Sequence, residues 1–157
     1  MSSPYVVTPI GTVVSTRSAA TDDDWDREAV RIELDPARFG ADALAGLDAF
    51  SHVEVIFRMH GVDPAKIETG ARHPRHREDW PKVGIFAQRG KNRPNTIGTT
   101  VCRVLGVEGT TLRVQGLDAI DGTPVLDLKP WVVELGPRGE VHQPAWMSEL
   151  MREYWTR

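Results

Sequence analysis

The chain has 157 residues, of which 40% are hydrophobic and 26% charged, and its formal net charge is −3. These values are typical of a soluble globular domain and exclude a generally basic, nucleic-acid-coating protein, so any anion site has to be local. One cysteine excludes an internal disulfide framework, no apolar run reaches the roughly 20 residues of a membrane helix, and no signal-peptide pattern is seen at the N-terminus, which together predict a cytoplasmic protein.

The first half of the chain is predicted to consist mainly of β-strands. β-Branched residues over 5–15 predict a first strand, and the acidic stretch DDDWDRE (22–28) predicts a loop. AVRIEL (29–34) alternates apolar and polar residues, which predicts a half-buried strand. ADALAGLDAF (41–50) predicts a short helix, and SHVEVIFRMH (51–60) predicts another strand.

The second half continues the strand pattern after one long connection. The polar, proline-bearing stretch over 61–80 predicts a loop, which at this length is usually functional or mobile. Three strands are predicted next, in KVGIFAQ (82–88), TIGTTVCRVLGV (96–107) and TLRVQGL (111–117), the last two joined by a tight turn. A turn at Asp121-Gly122 and one or two short strands follow.

The C-terminal stretch PAWMSELMREYW (144–155) carries apolar residues at helical spacing after a proline, which predicts a helix over about 144–156. Strands are many, helices are few, and no alternating strand–helix pattern is present. We therefore expect a mainly β protein with one domain over 1–157. A β-barrel or strongly curved sheet with short helical insertions and a C-terminal helix fits this pattern.

Several common site types are absent from the sequence. No GxGxxG fingerprint and no P-loop occur, which argues against a Rossmann cofactor site and a P-loop ATPase. His73 and His76 lie among arginines, which oppose a bound cation, so we expect no metal site. The serines lack a nucleophile-elbow context, so an acyl-transfer triad has no support.

The segment RGKNRPN (89–95) concentrates hydrogen-bonding side chains between two predicted strands. Arginine presents a planar fork suited to carboxylate or phosphate, and asparagine offers both donors and acceptors. A solvated hairpin tip would normally carry fewer such residues. We therefore expect a ligand pocket shaped by Arg89, Asn92, Arg93 and Asn95.

The stretch GLDAIDGTPVLDLKP (116–130) carries Asp118, Asp121 and Asp127, followed by Lys129. The residues alone leave three roles open for these carboxylates: binding a cation, acting as a general base, or accepting from an adenine amino group. Between 72 and 93 the chain holds seven Lys or Arg against two acids, while the acids of 22–28 lie elsewhere in sequence. A basic rim of this kind suits a phosphate-bearing substrate, although a solvated charged loop is the ordinary alternative.

Four motifs together resemble one known family. IGTVVS, GLDAFSHVEVIFRMH, VGIFAQRGKNRPNTIG and GLDAIDGTPVLDLKPW occur in order over about 9–131. They resemble the TrmO family, also called YaeB-like, TsaA-like or UPF0066, whose members include tRNA N6-threonylcarbamoyladenosine methyltransferases. The resemblance implies a β-barrel methyltransferase that uses S-adenosylmethionine and forms a homodimer with its cofactor sites close to the subunit interface.

The resemblance also implies roles for individual residues. The implied cofactor-binding positions are His60, Gly61, Arg89, Thr99, Gln115, Gly116, Leu117 and Asp118. Arg89 would bind the methionine carboxylate, and Asp118 or Asp121 would be the general base or would orient the accepting nitrogen. The residues that would shape the pocket are Asn92, Arg93, Asn95, Asp127 and Lys129. Better-known members carry a Pro-Arg-Gln element where this chain has DDDWDRE.

The implied substrate is threonylcarbamoyladenosine at position 37 of tRNA. The basic loop over 72–77 would then guide the anticodon arm, with salt-sensitive affinity. Two alternatives stay open from the sequence: methylation of a small metabolite, and a non-catalytic module that binds S-adenosylmethionine or a nucleotide. We expect neither a membrane partner nor a metal.

Overall fold

A computed structural model describes residues 2–156, and its centre is a closed barrel of six antiparallel strands in the order β1-β2-β7-β6-β3-β8. The short strands β4 and β5 pair with each other outside the barrel. The strands are β1 (Gly11–Val14), β2 (Ala29–Leu34), β3 (His52–Arg58), β4 (Ala71–Arg72), β5 (Val83–Gly84), β6 (Ile97–Glu108), β7 (Thr111–Gln115) and β8 (Pro124–Pro130). The mainly β barrel predicted from the sequence is confirmed.

Helical structure is limited to short pieces. One α-helix, α1 (Ala145–Leu150), lies near the C-terminus. The 3-10 turns are Trp25–Arg27, Ala41–Leu44, Leu47–Ala49, Pro64–Lys66, Pro74–His76, Ile85–Ala87, Pro94–Thr96, Val133–Leu135 and Met151–Glu153. Within residues 2–156, no helix combines the length and the apolar character needed to cross a membrane.

The barrel interior is filled by the inward-facing residues of alternating strands. In β2 the buried residues are Val30, Ile32 and Leu34, as the alternation of AVRIEL predicts. Together with buried residues from the other strands they form a single core cluster, because antiparallel strands place every second side chain on the same face.

Cys102 faces this core from β6 and is fully buried. Its Sγ lies 3.6 Å from the carbonyl oxygen of Gly116 and 3.7 Å from that of Thr100. Burial raises the pKa of the thiol well above its ordinary range, and the nearby charges of Asp118 and Asp26 add to the effect. The group is therefore a neutral, structural thiol.

Close packing between β3 and β6 explains why residue 98, the last of the motif VGIFAQRGKNRPNTIG, is a glycine. Gly98 pairs with Phe57 in the sheet, and a Cβ placed on Gly98 would lie 2.6 Å from the Phe57 ring. A glycine is required here because the ring occupies the space that any side chain would need.

Four sequence predictions need correction. KVGIFAQ was predicted as a buried strand, but β5 covers only two of its residues and a 3-10 turn follows, with Phe86 77% exposed. The first strand begins at Gly11 rather than at residue 5, since Tyr5 and Val6 are exposed and unpaired with the sheet. The helix predicted over 41–50 is two 3-10 turns, because Gly46 between them has a φ of 86°.

The fourth correction concerns the C-terminal helix, predicted over about 144–156. The α-helical part ends at Leu150, and a 3-10 turn extends the helical path to Glu153. The apolar stripe nevertheless faces the protein, as the spacing predicts, because Trp146, Met147 and Leu150 are half-buried.

We expect Gly98→Ala to destabilise the protein by about 1–3 kcal/mol, because the new methyl group collides with the Phe57 ring. Gly106→Ala in the same strand is the matched control: a Cβ there meets nothing within 4 Å, so its effect should stay within about 0.5 kcal/mol. Urea denaturation of the three proteins measures both effects. Equal stabilities for the two variants would contradict the packing described.

We expect Cys102 to resist Ellman's reagent in the folded protein at mildly alkaline pH and to react fully after unfolding, because its raised pKa keeps it protonated and burial blocks access. A raised folded-state pKa also means that stability is lost as pH rises past the ordinary thiol range, since the unfolded chain ionises first. Rapid labelling of the native protein would show that the β6 packing is wrong.

Candidate functional site

Three connections meet at one end of the barrel, here called the site end. They are residues 15–28 between β1 and β2, residues 59–96 between β3 and β6, and residues 116–123 between β7 and β8. In a closed antiparallel barrel alternate strands run in the same direction, so the ends of β1, β3 and β7 and the starts of β2, β6 and β8 coincide. Most residues predicted for the site lie in these connections.

The segment 89–95 is held against the start of β6. Arg89 donates from Nη2 to the carbonyl oxygen of Thr99 at 2.8 Å, and Arg93 donates from Nη1 to that of Gln88 at 2.7 Å. Buried Gln88 in turn donates to the carbonyl oxygens of Arg72 and Val83. Arg93 and Gln88 thus hold the segment 89–95, here called the corner, from its buried side. Arg89 lies at the exposed surface of the corner.

Asn95 has a structural reason to be an asparagine. Its φ is 63°, in the left-handed region that asparagine tolerates better than most residues. Pro94 opens the turn, and the amide of Thr96 donates to the carbonyl oxygen of Arg93 at 3.2 Å. The carbonyl oxygen of Asn92 accepts from the amide of Glu68 at 3.0 Å, which ties the corner to the long connection.

Asp118 is a half-buried carboxylate of the site end that accepts a hydrogen bond at each of its two oxygens. Its Oδ1 accepts from the hydroxyl of Thr100, and its Oδ2 accepts from the phenolic hydroxyl of Tyr154. Thr100 follows Thr99, whose carbonyl oxygen binds Arg89. The corner at 89–95 and the aspartate-bearing connection at 116–123 are therefore joined through two consecutive residues of β6.

A second carboxylate, Asp26, lies beside the same connection. A Cβ on Gly116, whose φ is 83°, would lie 3.0 Å from Oδ1 of Asp26, and the side-chain amide of Gln115 donates to the carbonyl oxygen of Asp26 at 3.2 Å. Gln115 therefore anchors the acidic loop, while Gly116 leaves room for the Asp26 carboxylate. Buried Leu117 belongs to the barrel core.

His60 and Gly61 follow β3 and lie against the turn before β8. His60 Nε2 is 3.8 Å from the position of a Cβ on Gly122, and Ile120 Cδ1 is 3.9 Å from one on Gly61. The structure thus places His60 and Gly61 at the site end, next to the 116–123 connection.

Asp121 has a different environment from Asp118. Its Oδ1 accepts from the amide of Ser15 at 2.9 Å, and its own amide donates to the carbonyl oxygen of Arg17 at 2.8 Å. These bonds fasten the turn before β8 to the loop after β1.

Asp127 and Lys129 are not brought to the site end. They lie on the exposed outer face of β8 and form an ion pair of 3.2 Å with each other. Both residues belong to the motif GLDAIDGTPVLDLKPW. Val125 faces the core, and a register shift opposite Ile56 and Phe57 then changes the alternation of β8, so that Asp127 and Lys129 lie on the outer face.

The acids of the 22–28 stretch lie next to the basic loop, although about 50 residues separate them in sequence. Arg75 donates to Asp23 at 3.0 Å and lies 3.8 Å from Asp22. Arg77 is paired with Asp79 and lies 3.5 Å from Glu149. Two of the seven cations counted over 72–93, Arg75 and Arg77, therefore face acids from outside that range.

Sequence reasoning missed Thr100, Tyr154 and Asp26. Thr100 could have been found from the alternation of β6, because it shares the inward face of Cys102. Tyr154 belongs to the predicted helical stripe, but nothing in the stripe indicates that its hydroxyl reaches Asp118. Among residues 2–156, no group of three or more His, Cys, Asp or Glu side chains is placed to hold a metal ion.

Comparison with solved structures identifies the same barrel in known proteins. One crystal structure of TrmO superposes with a TM-score of 0.73 at 30% identity, covering 90% of this chain and 64% of that one. TrmO from Pseudomonas aeruginosa gives a TM-score of 0.72 at 30% identity, covering 89% and 61% of the two chains.

Sequence relatives agree with the structural match. A human tRNA (adenine(37)-N6)-methyltransferase is 37% identical over 102 residues, which is 65% of this chain and 23% of that protein. A probable S-adenosyl-L-methionine-binding protein of Methanothermobacter thermautotrophicus is 34% identical over 137 residues, 85% of this chain and 94% of that one. The chain therefore spans about a quarter of the human relative but nearly the whole archaeal one.

The family model for the tRNA-methyltransferase O N-terminal domain matches residues 17–136. That range contains five of the six barrel strands and the three connections of the site end, apart from residues 15 and 16. By this match and by its barrel, the chain belongs to the tRNA-methyltransferase O family.

Proposed function

We propose that the chain is an S-adenosylmethionine-dependent methyltransferase whose cofactor site lies at the site end of the barrel. The observation that carries the proposal is the convergence there of Arg89, the 115–118 backbone and the carboxylates of Asp118 and Asp26. Relatives named as methyltransferases and as S-adenosylmethionine-binding proteins support it.

The side chains at the site end fit this cofactor chemically. A guanidinium suits its carboxylate, and carboxylates suit its ribose hydroxyls and its positive sulfonium. The missing side chain at Gly116 lets the Asp26 carboxylate lie beside the 115–118 backbone, where it can accept from a ribose hydroxyl. S-adenosylmethionine has no pyrophosphate, so the missing GxGxxG is expected.

In this proposal the protein binds and orients, and the bound cofactor supplies an electrophilic methyl group. Arg89 binds the methionine carboxylate, while the backbone of 115–118 and the adjacent His60 and Gly61 complete the cofactor site. Asn92, Arg93 and Asn95 shape the corner that carries Arg89. Thr99 contributes through its carbonyl oxygen, which fixes the Arg89 guanidinium.

Of the two aspartates predicted to be catalytic, Asp118 is the better candidate. The bonds from Ser15 and to Arg17 commit Asp121 to holding its turn. Asp118 is held by two hydroxyls, and each carboxylate oxygen has a further lone pair with which to orient the accepting nitrogen or take its proton.

We propose threonylcarbamoyladenosine at position 37 of tRNA as the acceptor, on the strength of the tRNA methyltransferases among its relatives. Methylation of a small metabolite and cofactor binding without transfer are the alternatives. Cofactor binding without transfer is favoured by one observation. The archaeal relative, which this chain covers over 94% of its length, is named only for binding S-adenosylmethionine.

We further propose that this single-domain protein is cytoplasmic and forms a homodimer. Apolar side chains exposed along the outer face of β6 support the dimer: Ile97, Val101 and Leu105 are 47%, 40% and 37% exposed. These apolar residues alternate with Thr99 and Arg103 on the same face, and a mixed apolar and polar surface of this kind suits a partner protein.

We expect the protein to bind S-adenosylmethionine, and Arg89→Ala to weaken binding by about 1.5–3 kcal/mol because a charge-assisted bond to the carboxylate is lost. Calorimetry measures both affinities. Arg113→Ala, which removes an exposed arginine paired opposite Arg31 in the sheet, is the control and should leave the affinity unchanged. Absence of binding by the parent protein would refute the proposed function, and an unchanged affinity in Arg89→Ala would remove Arg89 from the site.

We expect the purified protein to methylate tRNA from cells that lack its gene, at threonylcarbamoyladenosine, as read by mass spectrometry of nucleosides. Asp118→Asn should reduce the transfer strongly, because the amide accepts a proton far less readily than the carboxylate. Transfer to a metabolite extract but not to tRNA would identify the small-molecule alternative. Cofactor binding without transfer to either would identify a binding module.

A further inference from the structure

After β8 ends at Pro130, on the side of the barrel opposite the site end, the chain returns to the site end, where residues 145–156 form the segment here called the C-terminal strap. Glu149 Oε2 accepts from the indole of Trp80 at 2.9 Å, and the ring centroids of Trp80 and Trp146 are 6.4 Å apart. These contacts fix the first half of the strap to the long connection between β3 and β6.

The second half of the strap is bonded to the loop between β1 and β2. The amides of Asp24 and Trp25 donate to the carbonyl oxygens of Glu153 and Tyr154, at 3.2 Å and 2.9 Å. Thr156 Oγ1 donates to Oδ1 of Asp24 at 2.7 Å. The strap therefore has several anchors that do not involve the phenolic hydroxyl of Tyr154.

Tyr154 reaches beyond these anchors into the site. Its hydroxyl donates to Oδ2 of Asp118, opposite the Thr100 hydroxyl on Oδ1, and its ring stacks edge-on with Trp155 at 4.9 Å. Trp155 Cζ3 lies 3.8 Å from the position of a Cβ on Gly116. Two consecutive aromatic residues of the strap thus cover the backbone of the 116–118 stretch.

The phenol is held in its protonated, donating form. Burial raises the pKa of Tyr154, and the charge of Asp118 and the hydrogen bond to it raise it further, while Arg89 and Arg75 oppose the rise. The charged groups facing the phenol therefore come from two connections: Asp118 from the one after β7, and Arg75 and Arg89 from the long connection between β3 and β6.

We propose that Tyr154 is a positioning residue of the site, which fixes the orientation of the Asp118 carboxylate and makes the C-terminal strap the outer wall of the cofactor site. This inference rests on the proposed function, because the proposed function places S-adenosylmethionine beside Asp118. A carboxylate held at both oxygens by hydroxyls loses its rotational freedom before the ligand arrives, and such preorganisation strengthens binding. The strap lies outside the range 17–136 that the family model matches.

Tyr154→Phe removes one oxygen atom and leaves the ring and every other anchor of the strap in place. We expect it to weaken S-adenosylmethionine binding roughly three- to tenfold, the effect of one ordinary hydrogen bond, because the lost bond orients Asp118 and does not itself contact the ligand. Ser148→Ala removes an exposed strap hydroxyl that bonds only Gln143 among the described residues, and as the matched control it should leave the affinity unchanged.

A double-mutant cycle with Asp118→Ala separates positioning from a general structural effect. If Tyr154 acts through Asp118, Tyr154→Phe has no further effect on the affinity once Asp118 is gone. A loss of the same size in both backgrounds would overturn the inference, and so would an unchanged affinity in Tyr154→Phe alone.

A titration without ligand tests the contact itself. The chain has two tyrosines, and Tyr5 is 92% exposed, so Tyr5→Phe leaves Tyr154 as the only phenol. In that background the ultraviolet absorbance of tyrosinate should appear at a lower pH when Asp118→Ala is added, because the charge and hydrogen bond that raise the pKa of Tyr154 are removed. An unshifted titration would overturn the contact even if the cofactor binds.

Failure of this inference is distinguishable from failure of the proposed function. If the parent protein binds no S-adenosylmethionine, the proposed function is wrong and the positioning role is withdrawn with it, whatever the titration gives. If the parent binds and Tyr154→Phe binds equally well, only the role of Tyr154 is refuted.

Discussion

Closure of six antiparallel strands into a barrel forces alternate strand ends to the same side, and the rest of the structure depends on this constraint. The three connections at the site end are 14, 38 and 8 residues long, whereas the hairpin between β6 and β7 at the other end has only Gly109 and Thr110 between its strands. Segments rich in charged and amide side chains are thereby brought together at one end of an apolar barrel core. The core provides rigidity, and the connections provide the chemistry.

The charge distribution follows from the same arrangement. Arg75 pairs with Asp22 and Asp23, and Arg77 lies 3.5 Å from Glu149, so two of the three arginines in the basic loop over 72–77 face acids from distant parts of the chain. Arg89, by contrast, contacts the carbonyl oxygen of Thr99, and its charge opposes the rise in the pKa of Tyr154, the residue that donates to Asp118. A small anionic group on a ligand would meet its positive charge at this corner, which is how a protein of net charge −3 can hold a local anion site.

The sequence predicted the barrel but not every element in it. AVRIEL was predicted with its bounds because alternation reports directly which side faces a core. KVGIFAQ was misassigned because a short apolar run does not distinguish a strand from a turn that buries one residue, here Ile85. The fold brings most segments of the motifs together at one end of the barrel, whereas Asp127 and Lys129 belong to a motif but lie on the outer face. Contacts such as those of Arg75 with Asp23 and Tyr154 with Asp118 join residues far apart in the chain, and no local pattern encodes them.

Hydrogen–deuterium exchange with and without S-adenosylmethionine tests most directly whether the ligand binds where these connections converge. Added ligand should slow exchange in the segments around 89–100, 115–122 and 151–156, and leave residues 35–51 and the turn at 109–110, at the opposite end, unchanged. Slowed exchange confined to that opposite end, or no change anywhere at saturating ligand, would contradict a cofactor site at the site end of the barrel.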